Sequence, residues 1–582
     1  MTRPTLLTLA VVLALAACNR EAPAPAAPQP APDTTAPAGT HVFNDAINAE
    51  DLAELVKTLA SDEFEGRAPG SAGEQKTVDY IKAQYERLGL QPGGDNGSFF
   101  QTVPMVETTA DEATVLKLDS NGKPRDLKFG TDMVIGTRTG QKEVKVADSE
   151  LVFVGYGVNA PEQNWNDYAG LDVKGKTVVI LVNDPGFHAK DDALFEGNRM
   201  TYYGRWTYKY EEAARQGAAA ALIIHDTEGA SYGWDVVKNS WSGPQFDLPA
   251  KDDPEPRLPA QGWITGEVAE QLFSESGLDL KEQYAAANKR GFKAVPLKAK
   301  VSFDLKSTTA EKSSQNVIGV LPGASKPDEA VIYMAHWDHL GKHEGEGEDQ
   351  IYNGAVDNAT GVAGIIEIAE QFARGPKPAR SVAFVAVTLE ESGLLGSKFY
   401  VAKPSFPLDK TVGVINLDAM AVGGRSRDFV VTGKGNSALE DLLKTHADKQ
   451  ERTLVEEGNP AGGYYFRSDH FNFAKAGVPA LYAKGGEDLV EGGKAAGKAA
   501  SDEYAKRYHQ PGDEVHDGWR WDGMVEDLQA LHGVGSDLAT GDTWPNWYDG
   551  NPFKAARDKM MQGKAPAPAQ APAEEKADAA AK

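Results

Sequence analysis

Cysteine is almost missing from this chain. Cys18 is the single cysteine in 582 residues, so no internal disulfide can form, and stability must come from buried cores and bound ligands. Long apolar runs are missing too. The stretch from Leu6 to Ala17 falls short of the roughly 20 residues a bilayer span requires, which excludes a membrane-spanning helix there. Basic excess is the third absence: 60 Lys and Arg stand against 85 Asp and Glu, a net charge of −25, which disfavours nucleic acid and anionic lipid surfaces as partners.

What the chain does have is a series of polar clusters in its second half. They read AHWDHLG (335–341), GAVDNATG (354–361), TLEESGLLGS (388–397), INLDAM (415–420) and RYHQPGDE (507–514). Three of them sit where apolar runs stop: VIYMA (331–335) runs into His336, SVAFVAVTL (381–389) into Glu390 and Glu391, and VGVINL (412–417) into Asp418. Short runs rich in Val and Ile predict strands buried on both faces of a parallel sheet. In open α/β sheets, ligands bind at the carboxyl ends of the strands. The fold class expected is therefore α/β, a mixed, largely parallel central sheet with helices on both faces.

The residue types at those strand ends are zinc ligands, imidazole and carboxylate. His336, Asp357, Glu391, Asp418 and His509 make a set for two zinc ions, with Asp357 as the carboxylate shared by both. Each has a plainer reading: His336 as a hydrogen-bonded structural histidine, and Asp357 as the cap of a helix over GVAGIIEIAEQFA (361–373). Asp338 lies on the same strand face as His336 and is positioned to accept its second N–H. Two adjacent carboxylates ending an apolar strand repel each other, and a nearby cation resolves the conflict. With Glu391 on the metal, Glu390 is left as a general base.

The order HxD, DN after a glycine, LEExGLxGS, NxD, YH resembles the co-catalytic zinc aminopeptidases, relatives of glutamate carboxypeptidase. The resemblance covers roughly 310–540 strongly and 50–135 moderately. It implies a zinc exopeptidase fold in which His336 and Asp418 hold one zinc, Glu391 and His509 the other, and Asp357 bridges. It also implies Glu390 as general base, Tyr508 as the donor steadying the oxyanion, and Ser468, Asp469 and His470, in FRSDHFNFAKAGVPAL (466–481), bordering the substrate pocket. Two Zn2+ per chain and peptide substrates follow. A carboxypeptidase of the same architecture, using Arg425, Arg427 or Arg467 to hold a substrate carboxylate, is the first alternative. A glutaminyl cyclase relative with one zinc and a catalytically dead peptide-binding protein are the others.

The expected organisation begins with a signal peptide over 1–17. LAAC, ending at Cys18, resembles a bacterial lipobox, which implies lipid attachment at Cys18, a membrane partner, and an exported protein anchored in the bacterial envelope, periplasmic or outer-membrane associated. An Ala/Pro linker fills 18–45. The catalytic domain is expected in two parts, 46–139 and 312–555, with a disordered tail over 556–582. Between the parts, SELVFVGYGV (149–158), KTVVILVND (176–184) and YKYEEAARQGAAAALIIHD (208–226) predict strands and a helix without a full ligand set. With DYAGLDVKGKTVV (167–179), the segment 140–311 resembles a β-rich protease-associated domain. Its aromatic cluster YYGRWTYKY (202–210) lines a substrate entrance or packs a small core. GKHEGEGEDQ (341–350) predicts a flexible loop beside the first ligand.

Overall fold

The computed structural model describes residues 41–253, 255–343 and 349–562. The chain divides into two units. The first ends at Phe43 and is described only over its last three residues, where the rings of His41 and Phe43 meet edge to face at 4.8 Å. The second runs from Asn44 onward. The expected signal peptide, Cys18, most of the linker, the centre of the 341–350 loop and most of the tail lie outside the described residues. No helix among the described residues is long and apolar enough to cross a membrane.

The elements that place the site are, in chain order, α1 (Ala49–Leu59), α2 (Ala72–Arg87), β1 (Phe100–Ala110), β2 (Glu143–Phe153), β3 (Thr177–Leu181), α3 (Trp206–Arg215), β4 (Ala220–Ile224), β5 (Ala260–Ile264), β6 (Val295–Leu321) and β7 (Lys326–His336). They continue with α4 (Thr360–Arg374), β8 (Arg380–Val387), α5 (Leu395–Ala402), β9 (Thr411–Asn416), α6 (His470–Lys475), β10 (Ala480–Gly485), α7 (Gly493–Arg507) and α8 (Trp521–Thr540).

The main sheet runs β1–β6–β8–β7–β9–β10. The four strands from β8 to β10 are parallel, while β6 and β1 join antiparallel, so the expected mixed, largely parallel sheet is what forms. β8 and β9 are buried at every position, the signature of strands covered on both faces. On one face Ile332, Met334, Val385 and Val414 pack with Tyr400 of α5 and Phe473 of α6. On the other, Tyr333 stacks on Phe384 at 5.7 Å, Phe372 of α4 closes over both, and the Tyr333 hydroxyl donates to the Leu531 carbonyl of α8 at 2.8 Å. Alternate residues of one strand thus hold helices on opposite faces.

β6 is 27 residues long because it serves two layers. Its later part pairs with β1 and β8, and its first part pairs with β2 in a second layer that continues β2–β3–β4–β5 in parallel order. The strand Val115–Ser120 also joins β6 in this layer, ahead of residue 140. YKYEEAARQG forms α3 and leads directly into β4.

Candidate metal centre

Parallel pairing sets the site. His336 lies opposite Val387 and Met334 opposite Asn416, so the ends of β7, β8 and β9 are level. The residues that follow, His336, Glu390, Glu391 and Asp418, share one rim. Leu389 (φ 56) and Ala419 (φ 49), beside the acids, and His509 itself (φ 55) take left-handed backbone conformations. Such residues cost on the order of 1–3 kcal/mol each and cluster at functional sites.

Asp357 sits just before α4, followed by a cis peptide to Asn358. The N-cap position of α4 is Ala359, and the side chain that accepts from the first turn is that of Asn358 and not of Asp357, a correction to the plainer sequence reading. The Asn358 Oδ1 accepts from Gly361 N at 2.9 Å and Ala419 N at 3.1 Å, and its Nδ2 donates to the Leu417 carbonyl at 3.0 Å. Because the amide takes the capping work, the Asp357 carboxylate is left to face two imidazoles. Its Oδ1 lies 3.2 Å from His336 Nε2 and its Oδ2 3.2 Å from His509 Nε2.

The other acids complete two groups. Asp418 Oδ1 is 3.5 Å from His336 Nε2, and Glu391 Oε2 is 3.2 Å from His509 Nε2. Two donors held at zinc's usual bond length and tetrahedral angle stand about 3.3 Å apart. The four separations agree with that spacing. His336 Nε2 is buried and makes no hydrogen bond even though two carboxylates are this close, as expected of a lone pair aimed at an ion. The donor chemistry and the spacing therefore fit two divalent ions, with Asp357 between them.

Electrostatics agree. Burial works against a charged His509, yet the Asp357 and Glu391 carboxylates raise it to about 10. Burial, reinforced by the neighbouring carboxylates Glu391, Asp418 and Asp469, holds the Glu390 carboxyl well above its usual range despite the opposing His336 charge. The Glu390 side chain has no hydrogen bond or ion pair among the described residues. A cation beside it would reverse this local logic and favour the carboxylate.

Asp338 supports both sides of the site. The His336 Nδ1–H donates to the Asp338 main-chain carbonyl at 3.1 Å, while the expected carboxylate acceptor is 3.8 Å away. That carboxylate instead accepts from the amides of Glu390 at 3.1 Å and Glu391 at 3.4 Å. Ser468, Asp469 and His470 are buried behind the ligands instead of lining an open surface. Ser468 Oγ donates to Asp418 Oδ2 at 2.6 Å, Asp469 accepts from Ser397 at 2.6 Å, and the His470 ring packs between Tyr465 and Tyr482. Burial pushes His470 down to about 3, so it is neutral. Tyr508 is half exposed, its ring stacked on His509 at 3.9 Å.

Three residues were not singled out by the sequence reading. Asp513 accepts from the amides of Val356 and Asp357, both at 3.1 Å, and so fixes the bridging residue from behind. Arg67 reaches in from the turn between α1 and α2. His339, buried three positions after His336, contacts Glu391. In the aromatic cluster Tyr202, Tyr203 and Tyr208 pack on one another, and the first two also line a cavity of about 290 Å³ with Met200, Tyr465 and Phe466.

The chain is similar to several known proteins. The model of peptidase family M28 matches residues 316–529. A probable lipoprotein aminopeptidase, LpqL of Mycobacterium tuberculosis, is 24% identical over 499 residues, 82% of this chain and 80% of that protein. Aminopeptidase NAALADL1 of Mus musculus is 31% identical over 129 residues, 21% of this chain and only 16% of its own length. Among solved structures, an aminopeptidase from Aneurinibacillus sp. strain AM-1 is 22% identical with a TM-score of 0.45, covering 85% of this chain and 94% of that one.

Proposed function

We propose that this chain, whose residues 316–529 match the model of peptidase family M28, is a two-zinc aminopeptidase, a hydrolase that releases residues from the N-terminus of peptides. The observation that carries the reading is the bridging geometry of Asp357, whose two oxygens each lie 3.2 Å from a different imidazole, with Asp418 completing one group and Glu391 the other. His336, Asp357 and Asp418 would hold one ion, and Asp357, Glu391 and His509 the other. When bound, the ions supply Lewis acidity toward a carbonyl and lower the pKa of water.

The chain's own groups do the rest. Glu390, whose side chain makes no hydrogen bond among the described residues, takes the proton of the attacking water and returns it to the leaving amine. Tyr508, its ring fixed against His509, donates its hydroxyl to the carbonyl oxygen as charge develops there. Residues 140–311 are read as a protease-associated insertion. The chain is read as an exported lipoprotein attached through Cys18.

A carboxypeptidase is the second reading, and one observation favours it. Arg425 and Arg427 are committed to Glu526 at 2.6 Å and Asp488 at 3.3 Å. The Arg467 side chain, however, has no hydrogen bond or ion pair among the described residues, and neither has that of Arg205 of the second layer. The Nε of each is buried. Assay of purified protein on one peptide with a free, an N-acetylated or a C-terminally amidated end decides between them. The aminopeptidase reading expects cleavage of the free and amidated forms, none of the acetylated form, and loss of activity with chelator. Cleavage of the acetylated form with rejection of the amide would replace it by the carboxypeptidase.

A further inference from the structure

Two imidazoles, not one, flank Glu391. His509 Nε2 approaches Oε2 at 3.2 Å from the open side, and His339 Nδ1 approaches Oε1 at 2.7 Å from the buried side. The lengths differ in kind. His339 also falls with Asp357 and Glu391 in a group that could itself hold an ion, but a separation near 3.2 Å fits two donors sharing an ion, whereas 2.7 Å fits a charge-assisted hydrogen bond. We infer that His339 is a positioning residue: it donates Nδ1–H to Glu391 Oε1, so that the carboxylate presents only Oε2 to the second metal position.

His339 is itself held in place by a device that begins some 270 residues earlier in the chain. Arg67 is fully buried and gives its guanidinium to backbone carbonyls alone: Nε to Trp337 at 2.9 Å, Nη1 to Leu59 at 2.8 Å and Asn353 at 2.5 Å, and Nη2 to Gly354 at 2.8 Å. It therefore ties the turn carrying His339 to the turn preceding Asp357. Gly354, at φ +55, lies directly on the His339 ring, where a Cβ would come within 2.5 Å of Cδ2. The imidazole is thus pinned between Gly354 on one side and Glu391 on the other, with the His509 ring edge-on at 5.6 Å.

A carboxylate left unpinned can rotate or chelate through both oxygens, and outer hydrogen bonds of this kind are worth about 10- to 100-fold in metal affinity. The inference rests on the two-ion reading, so the experiment measures metal binding and not turnover. Apo protein is titrated with Zn2+ against a competing chelator, for the wild type, His339→Ala and His339→Asn. Asn can place an amide N–H close to where Nδ1 stands. The expected result is two ions bound by the wild type, one of them weakened about 10- to 100-fold in His339→Ala while the other is unchanged, and the loss largely recovered in His339→Asn.

Two ions bound by His339→Ala with wild-type affinities would overturn the assignment. So would equal loss of both ions in the two variants, which marks a merely structural residue. If His339→Ala does not fold, His339→Asn decides alone: near-wild-type binding of both ions supports the role, and loss of the second ion refutes it. A wild type that takes up fewer than two ions fails differently, because it removes the proposed function along with this inference.

Discussion

Both layers of this molecule run parallel strands into acidic residues, yet among the described residues only the main layer gathers imidazoles and carboxylates into groups that could hold a metal ion. In the second layer β3 leads to Asp184 and β4 to Asp226. Asp184 Oδ2 accepts from the Thr201 amide at 2.9 Å and hydroxyl at 2.6 Å, while its Oδ1 is buried without a partner and burial pushes the carboxyl up to about 7. Beside it the buried Lys209 ammonium donates to the carbonyls of Tyr156, Asn183 and Tyr203 at 2.6–2.7 Å. Asp226 accepts from the Glu228 and Gly229 amides and pairs with His188 at 2.7 Å. In the main layer the bridging Asp357 carboxylate meets no protein donor except imidazole nitrogens. A strand-end position is therefore not what makes a site. What differs is what faces the acid: amides, a hydroxyl and a lysine in the second layer, and two imidazoles in the main layer, a donor set that an ion would share.

The sharpest way to break the comparison is to separate chemistry from binding at the rim. Glu390→Gln keeps the side chain's shape and removes only its ability to carry the proton. Turnover should fall about 10²- to 10⁴-fold while elemental analysis still finds two zincs per chain. Turnover within a few-fold of wild type would remove Glu390 from its role.

The next largest effect belongs to the other layer. Lys209→Met strands three buried carbonyls and leaves Asp184 without its neighbouring cation, so unfolding free energy should drop by about 3–5 kcal/mol. Zinc content at 25 °C should be unchanged. Chemical denaturation together with metal analysis checks both halves, and a variant that kept its stability but lost zinc would contradict the division between the two layers.

Much of this was legible in the sequence because buried parallel strands are also continuous apolar runs. The ends of β7, β8 and β9 could be read directly, and with them His336, Glu391 and Asp418. The five ligands do come together. What could not be read were contacts in which the backbone is the partner. Asp513 works through amides of residues 356 and 357, and Arg67 through four carbonyls; neither kind of partner leaves a mark in side-chain pattern. Asp357 and Asn358 are adjacent and both can cap a helix, so only the local backbone decides which does. His339 did carry a signal, a second imidazole in the same cluster, but its role depends on Glu391, 52 residues further on. Ser468, Asp469 and His470 were expected to border the substrate pocket; that they are buried, with Ser468 bonded to Asp418, could not be read, since burial is a property of the packed sheet and not of the motif.

A third way of settling a buried acid gives the smallest and most specific test. Glu367 lies on α4 with Oε2 accepting from the Asn48 amide at 3.1 Å and Oε1 buried without a partner. It has neither donors enough nor a facing imidazole. Burial, with Asp51 and Glu370 nearby, pushes its carboxyl up to about 8. The folded protein therefore holds a proton there that the unfolded chain, titrating near its ordinary value of 4.5, releases. Between those two values the native state binds more protons than the unfolded state, so stability is fully present at low pH and declines as pH rises through the window. Glu367→Gln mimics the protonated acid at every pH. Its unfolding free energy should match wild type at about pH 4.5 and exceed it by a few kcal/mol at about pH 8, with a flatter profile between. Parallel profiles across that range would mean the acid is already satisfied by the protein, which would place it with Asp226 and not in a class of its own.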